Sequence, residues 1–270
     1  LDDVDIQGIK TGMLFDAANT HAVANTLQTH YAHATMPPLV CDPVCVSTSG
    51  HTLLQPEAIE IMIKEIFPLT TLITPNKSEA ELLLSHWNFP CEITDLEGML
   101  LAAKNLTTFG PRAVLLKGGH ITVTNEDVQR VSGNNTHICI VEDGLISQNM
   151  EILRLDEQYT FSQQLVVDVL HEHDDRTTMF LRSRVNSTST HGTGCTLSAA
   201  LACALGRGFD RLYSIPLYPN LTFITSFTVS DAIKSATTYT HLGIENAFPM
   251  GKGCGPLNHL HSVTNRIIPP

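Results

Sequence analysis

Residues Thr70–Trp87 read TTLITPNKSEAELLLSHW, and two hydrophobic periods meet inside them. Leu72 and Ile73 belong to a short apolar run of the kind found in strands buried on both faces. Thr74-Pro75-Asn76 ends the run, because proline offers no amide to a ladder. From Lys77 onward apolar residues recur at helical spacing, with Glu79 in the first turn, where the helix dipole favours a carboxylate. A buried strand that passes through a polar loop into an amphipathic helix is one step of a parallel α/β sheet.

The same step recurs along the chain. DIQGIKTGML (Asp5–Leu14) reads as a strand and loop, followed by a helix that Asp16 caps. PPLVCDPV (Pro37–Val44) is a buried strand ending in Asp-Pro, and a helix follows with Pro56 in its first turn. DLEGMLLAAKNLTTFG is a helix ended by Gly110, before the strand RAVLLKGGH. The expected fold is a mostly parallel central sheet flanked by helices. Between Ile121 and Arg184 the pattern changes: THICIVEDGLI, QLVVDVLHE and MFLRSRVN read as strands of a different, partly antiparallel layer. Two helices, GCTLSAALACALGRG and VSDAIKSATTYTHLGI, close the pattern, and residues 211–228 between them read as an insertion. No Pro/Ser-rich linker interrupts the chain, so 1–270 is expected to be one domain.

Composition bounds the function. The 270 residues are 43% hydrophobic and 16% charged, an ordinary globular profile, and the formal charge is −11. Such a balance argues against nucleic acid or an anionic membrane as partner, although a locally positive pocket for an anionic metabolite is compatible with it. Seven cysteines without a CxxC pair read as reduced thiols of a cytoplasmic or organellar protein. No apolar run is long enough to cross a membrane, and no signal peptide is evident. The chain opens on LDDVDIQGIKTGML without an initiating Met, which is read as an internal boundary.

In open α/β sheets ligands collect beyond the carboxyl ends of the strands. Three strand ends here carry chemistry: Asp42-Pro43-Val44, Thr74-Pro75-Asn76 with Glu79, and Lys117-Gly118-Gly119-His120. A fourth feature is STSTHGTGCTLSAA, where Gly192 and Gly194 allow the amides of Thr193, Gly194 and Cys195 to converge at a helix start. The field of that helix favours a thiolate at Cys195. Each feature also has a bland reading: Asp42 as a strand end, Asn76 and Glu79 as an ordinary helix start, Cys195 as an inward-facing core residue. Lys117 is the hardest to explain that way, since an apolar strand rarely ends in an unpaired lysine. Together, a carboxylate, a second acid, a lysine and a helix N-terminus are what phosphoryl transfer requires. No Walker A sequence occurs. Cys195 with His191 as a hydrolytic pair lacks an orienting third group. His171 and His173 in HEHDD read as a solvated loop, and Cys41 and Cys45 as buried strand residues rather than half a zinc site.

Taken in order, IKTGML, DPV…TSG, TPN…EAE, KGGH and THGTGCTLSAA resemble the ribokinase-like superfamily. Within it they resemble the hydroxymethylpyrimidine/phosphomethylpyrimidine kinases of thiamine biosynthesis, over nearly the whole chain. The tail NAFPMGKGCGPLNH is most similar to fungal members. The resemblance implies a three-layer α/β/α fold and ATP and Mg²⁺ as cofactors. It implies two successive phosphorylations, of a hydroxymethylpyrimidine and then of its monophosphate. It places the anion hole at Gly192, Thr193 and Gly194 and a catalytic base at Cys195. Lys117, Asn76 and Thr193 would face the nucleotide, Asp42 and Glu79 would act through Mg²⁺, and Met13 and Val44 would pack on the pyrimidine ring. A cytoplasmic homodimer is implied as well.

Departures from the family pattern are also legible. The usual opening strand and Gly/Ser-rich loop do not occur, so the early strands of the sheet are expected to be absent. Residues 216–227 are extra, and Thr237 stands where many members carry a basic residue. A pyridoxal-type kinase and a catalytically silent paralogue with a binding or regulatory role are the alternative expectations.

Overall fold

Strands β1 (Ile9–Thr11), β2 (Leu39–Cys41), β3 (Leu72–Ile73) and β4 (Ala113–Leu116) lie side by side and parallel. The protein's structure, a computed structural model, describes residues 3–46, 53–119, 121–133, 138–141, 144–147, 150–154, 164–209, 213–218, 221–225, 228–250 and 252–261. The remainder, which includes His120 and parts of the expected insertion, lies outside the described residues.

Strands β2, β3 and β4 are short and wholly buried, as their unbroken apolar sequences require, whereas β1, with Lys10 at its centre, is only partly buried. The helices between them begin where local chemistry starts them. Asp16 accepts from the Asn19 amide ahead of α1 (Ala17–His30). Pro56 opens α2 (Pro56–Ile61), which runs on through a wider turn over Met62–Ile66 and a tighter one over Phe67–Leu69. Asn76 and Glu79 form a reciprocal capping box before α3 (Lys77–His86), and Asp95 caps α4 (Leu96–Thr107). Gly110 follows α4 with φ +105°, a left-handed conformation that suits glycine.

Strand β8 (Leu165–Glu172) pairs with β4, β9 (Thr177–Ser183) pairs with β8, and β7 (Met150–Arg154), β6 (Gly144–Ser147) and β5 (Ile138–Val141) extend the edge. Beyond β4 the pairings are antiparallel except for one, the parallel pairing of β7 with β9. The antiparallel strands expected as a different layer are therefore part of one nine-stranded sheet, ordered β1-β2-β3-β4-β8-β9-β7-β6-β5. The reason is that β8 is apolar on both faces, as an interior strand must be. A helix the sequence reading did not foresee, α5 (Asn125–Gly133), follows β4. The core under one face of the sheet joins Cys41, Ile73, Val114, Leu116, Val167, Val169 and Met179 to residues of α1–α5.

The chain divides into two compact units, Leu1–Arg184 and Val185–Pro270. The first contains the whole nine-stranded sheet. The second contains α6 (Thr193–Phe209), α7 (Val229–Glu245) and an antiparallel hairpin of β10 (Tyr213–Tyr218) and β11 (Leu221–Thr225). The segment expected as an insertion thus supplies a hairpin separate from the large sheet. Thr237 is buried in α7 and donates to the Ile233 carbonyl at 2.6 Å. Among the described residues no helix is long and apolar enough to cross a membrane.

Candidate active site

In the first unit, hydrogen bonds continue past the strand ends and fix where the polar residues fall. The Asp42 amide donates to the Thr11 carbonyl, the Thr74 amide to Cys41, and the Lys117 amide to Pro75. Pro75 can serve because the ladder needs only its carbonyl there. This stagger sets Asp42, Asn76, Glu79 and Lys117 in one cluster.

Lys117 Nζ lies 2.9 Å from Asp42 Oδ1 and 4.0 Å from Glu79 Oε2. Thr74 Oγ1 donates to the same Asp42 oxygen at 3.2 Å. Asp42 is 2% exposed and Glu79 3% exposed, so both carboxylates sit in a medium that penalises charge. Burial pushes the Glu79 carboxyl above its ordinary value, and the Asp42 charge adds to this. Lys117 and the Asn76 amide, which donates to Glu79 Oε2 at 2.8 Å, oppose it. For Lys117, burial works against the charged form, but Asp42 and Glu79 outweigh it and hold the ammonium more firmly protonated than a free lysine.

Oxygen donors of this kind suit Mg²⁺, which takes one or two carboxylates and completes its shell with water and substrate phosphates. Asp42 and Glu79 are the residues that would hold it. Among the described residues there is no cluster of three or more His, Cys, Asp or Glu, so a closed all-protein cage is not what this site offers.

Met13 and Val44 lie in the loops after β1 and β2, Met13 exposed and Val44 half-buried. Val44 has φ +43°, a strained backbone for a β-branched residue.

In the second unit, α6 begins at Thr193 directly after Gly192, whose φ is +83°. The Thr193 amide is taken by the Thr190 carbonyl at 3.3 Å, and Thr196 starts the helical ladder by donating to Gly192. Of the three amides expected to converge, those of Gly194 and Cys195 are left without a hydrogen bond among the described residues. Cys195 is exposed on the first turn rather than packed inward. The loop is tied from behind: the His191 amide donates to the Gly255 carbonyl at 3.1 Å, and His191 pairs with Pro256 as an isolated bridge. A Cβ on Gly255 would come within 2.7 Å of Ser189 Oγ, which explains a glycine in the CGP run. No hydrogen bond joins His191 to Cys195 among the described residues, so a cysteine–histidine nucleophile has no support here.

Two other expectations change or hold. His171 is not in a solvated loop: it is buried in β8, with Nδ1 2.8 Å from Thr177 Oγ1. Burial holds its imidazole below the usual range, with the Lys104 charge contributing and Asp175 opposing. Cys41 and Cys45 are buried as expected, and burial pushes the Cys41 thiol up to about 12, which makes it inert. Sequence reasoning named Thr74 only as part of a strand end, and it missed the ion pair of Asp168 with Arg182, whose Nη1 lies 2.7 Å from Asp168 Oδ2. An aspartate inside the apolar run QLVVDVLHE was the available signal, because a buried carboxylate needs a partner.

An α/β sheet whose parallel strand ends present a lysine against two carboxylates is the framework of a phosphoryl-transfer enzyme. The comparisons with known proteins narrow the class. A family model described as phosphomethylpyrimidine kinase matches residues 1–151 and 153–216. The hydroxymethylpyrimidine/phosphomethylpyrimidine kinase of Mycobacterium tuberculosis is 31% identical over 258 residues, covering 96% of this chain and 70% of that protein. Its namesake in Salmonella typhimurium is 33% identical over 260 residues, covering 96% and 73%. Among solved structures, an ADP complex of Bacillus subtilis pyridoxal kinase superposes with a TM-score of 0.66 at 22% identity, covering 98% of this chain and 73% of that one. The chain belongs to the phosphomethylpyrimidine kinase family, and its α/β fold is the ribokinase-like fold of these relatives.

Proposed function

We propose that the protein phosphorylates 4-amino-5-hydroxymethyl-2-methylpyrimidine, and then the resulting monophosphate, with ATP as donor, as a step of thiamine diphosphate biosynthesis. The observation that carries this reading is the buried Lys117–Asp42–Glu79 cluster at the strand ends of a chain in this family.

The residues divide the work as follows. Lys117 offsets negative charge on the phosphates of the nucleotide, with Asn76 and Thr193 beside them. Asp42 and Glu79 would hold Mg²⁺, which would supply positive charge against that of the phosphates. The Gly194 and Cys195 amides, with the positive end of the α6 dipole, stabilise that group, and Gly192 supplies the turn that frees them. Cys195 Sγ accepts the proton of the attacking hydroxymethyl oxygen. Met13 and Val44 pack on the flat pyrimidine. The homodimer and the cytoplasmic setting implied by the resemblance belong to the same reading.

The test is an ADP-release assay with the hydroxymethylpyrimidine, its monophosphate and pyridoxal in parallel, for the wild type and Cys195→Ala. Turnover of both pyrimidines is expected, with roughly a hundredfold loss in Cys195→Ala and little change in the KM for ATP. Preferential turnover of pyridoxal would move the protein to the pyridoxal branch. A fully active Cys195→Ala would remove the base, and a folded wild type inert on all three would mark a silent paralogue.

A further inference from the structure

The kinase reading gives Lys117 a task but leaves unexplained a second buried charge beside it. Asp168 on β8 is 1% exposed, and each of its carboxylate oxygens has a partner. Oδ2 accepts from Arg182 Nη1 on β9 at 2.7 Å. Oδ1 accepts from the backbone amide of Gly118, the residue after Lys117, at 2.9 Å. An unpaired aspartate at this depth would be costly, and Arg182 makes it tolerable.

The location of this pair is specific. β4 and β8 meet at the seam where the sheet turns from parallel to antiparallel, and their ladder runs up to Leu116 opposite Val169. Past that point the ladder stops, yet the next residue is the lysine. Two contacts then take over on the β8 side. The Gly118 amide is bound by Asp168, and the Gly118 α-carbon is pressed so close to β8 that a Cβ there would fall 1.8 Å from the Val167 carbonyl oxygen. On the β3 side the Lys117 amide donates to Pro75 at 2.9 Å. The backbone at the root of the lysine is thus clamped between neighbouring strands. A long, flexible side chain aims its ammonium reproducibly only if its root is fixed.

We propose that Asp168, braced by Arg182, is a positioning residue for Lys117, setting the backbone from which the ammonium reaches the transferring phosphates. The inference rests on the kinase reading of Lys117. The competing view is that Asp168 and Arg182 form an ion pair that merely ties β8 to β9. The two differ in whether the loss of Asp168 acts through the lysine.

A double-mutant cycle separates them, measuring kcat and the KM for ATP with the hydroxymethylpyrimidine for Asp168→Ala, Asp168→Asn, Lys117→Met and Asp168→Ala/Lys117→Met, with Tm for each. A displaced lysine in Asp168→Ala is expected to cost roughly tenfold or more in kcat/KM for ATP. Asn, whose oxygen still accepts from the Gly118 amide, recovers most of that loss. In the Lys117→Met background Asp168→Ala costs less than about twofold, because residues acting through one another are not additive. Equal loss in both backgrounds, or an Asn variant as impaired as the Ala variant at equal Tm, overturns the proposal and leaves the ion pair structural. A harmless Lys117→Met overturns the underlying assignment of the lysine and this inference with it. If Asp168→Ala does not fold, Arg182→Met takes its place in the cycle with the same opposing outcomes.

Discussion

Under the proposed function, the two units would hold a negatively charged reactant in different ways. The first uses fixed charges: Asp42 and Glu79 are buried, and the half-buried Lys117 reaches both. The second uses neutral groups, two backbone amides and a helix dipole, at a loop whose cysteine is exposed. Fixed charges in a dry place are strong but must compensate each other, so removing one endangers the fold. Peptide dipoles remain paid for by the helix that makes them, so their neighbourhood tolerates exposure and change.

The largest expected effect breaks the first arrangement. Lys117→Met removes the ammonium that lies against two buried carboxylates. It is expected to lower kcat/KM by roughly 10²–10³-fold and to destabilise the fold by about 3–5 kcal/mol, read by urea unfolding. Cys195→Ala, on an exposed first turn, is expected to leave the unfolding midpoint where it was. Equal destabilisation by both would erase the contrast.

Glu79→Gln sharpens it. The fold raises the Glu79 pKa, so the native state holds that proton more tightly than the unfolded chain does. Stability contributed by protonation is therefore lost as pH rises from about 4.5 through the raised value. A glutamine keeps the capping-box acceptor for the Asn76 amide but carries no charge. The variant is expected to gain roughly 2 °C in Tm at neutral pH while losing most of its turnover. A fall in Tm would mean that the ionised Glu79 stabilises the fold after all.

The smallest effect lies at His171 on β8. Burial depresses the His171 pKa, so stability is full above about 6.5 and falls as pH drops below that, when the unfolded chain takes up the proton first. His171→Gln is expected to flatten this acid slope of Tm between roughly pH 6.5 and 5, without altering turnover at pH 8. An unchanged slope would assign the acid sensitivity to other groups.

Much of the framework was legible because it is written in local chemistry. Asp16, Pro56, Asn76 with Glu79 and Asp95 announce helix starts within a few residues of themselves, and β2 and β4 are continuous apolar runs. Asp42, Glu79 and Lys117 stood out because charge at the end of a buried strand requires compensation. What escaped was mostly non-local. Nothing in QLVVDVLHE says that β8 inserts antiparallel between β4 and β9, and without that pairing Asp168 has no visible partner. The short helix α5 was overlooked although Thr124 and Asp127 cap its start reciprocally, a signal as local as the others. His171 was misplaced because HEHDD looks polar as a string, while β8, buried on both faces, runs on through its first residue before the exposed turn.

The tie between His191 and the Gly255–Pro256 backbone has a consequence for the order in which the molecule is made. Synthesis runs at roughly 5–20 residues per second, and N-terminal elements fold first. The residues of the charged cluster, and the Asp168–Arg182 pair beside it, have all been translated once residue 182 leaves the ribosome. The amide loop is then still waiting for the glycine that holds it, more than seventy positions downstream. A nascent chain stalled within α7 would therefore carry finished charges and an unfinished loop. The backbone around Gly192 is timed by translation of a segment whose own sequence takes no part in the chemistry.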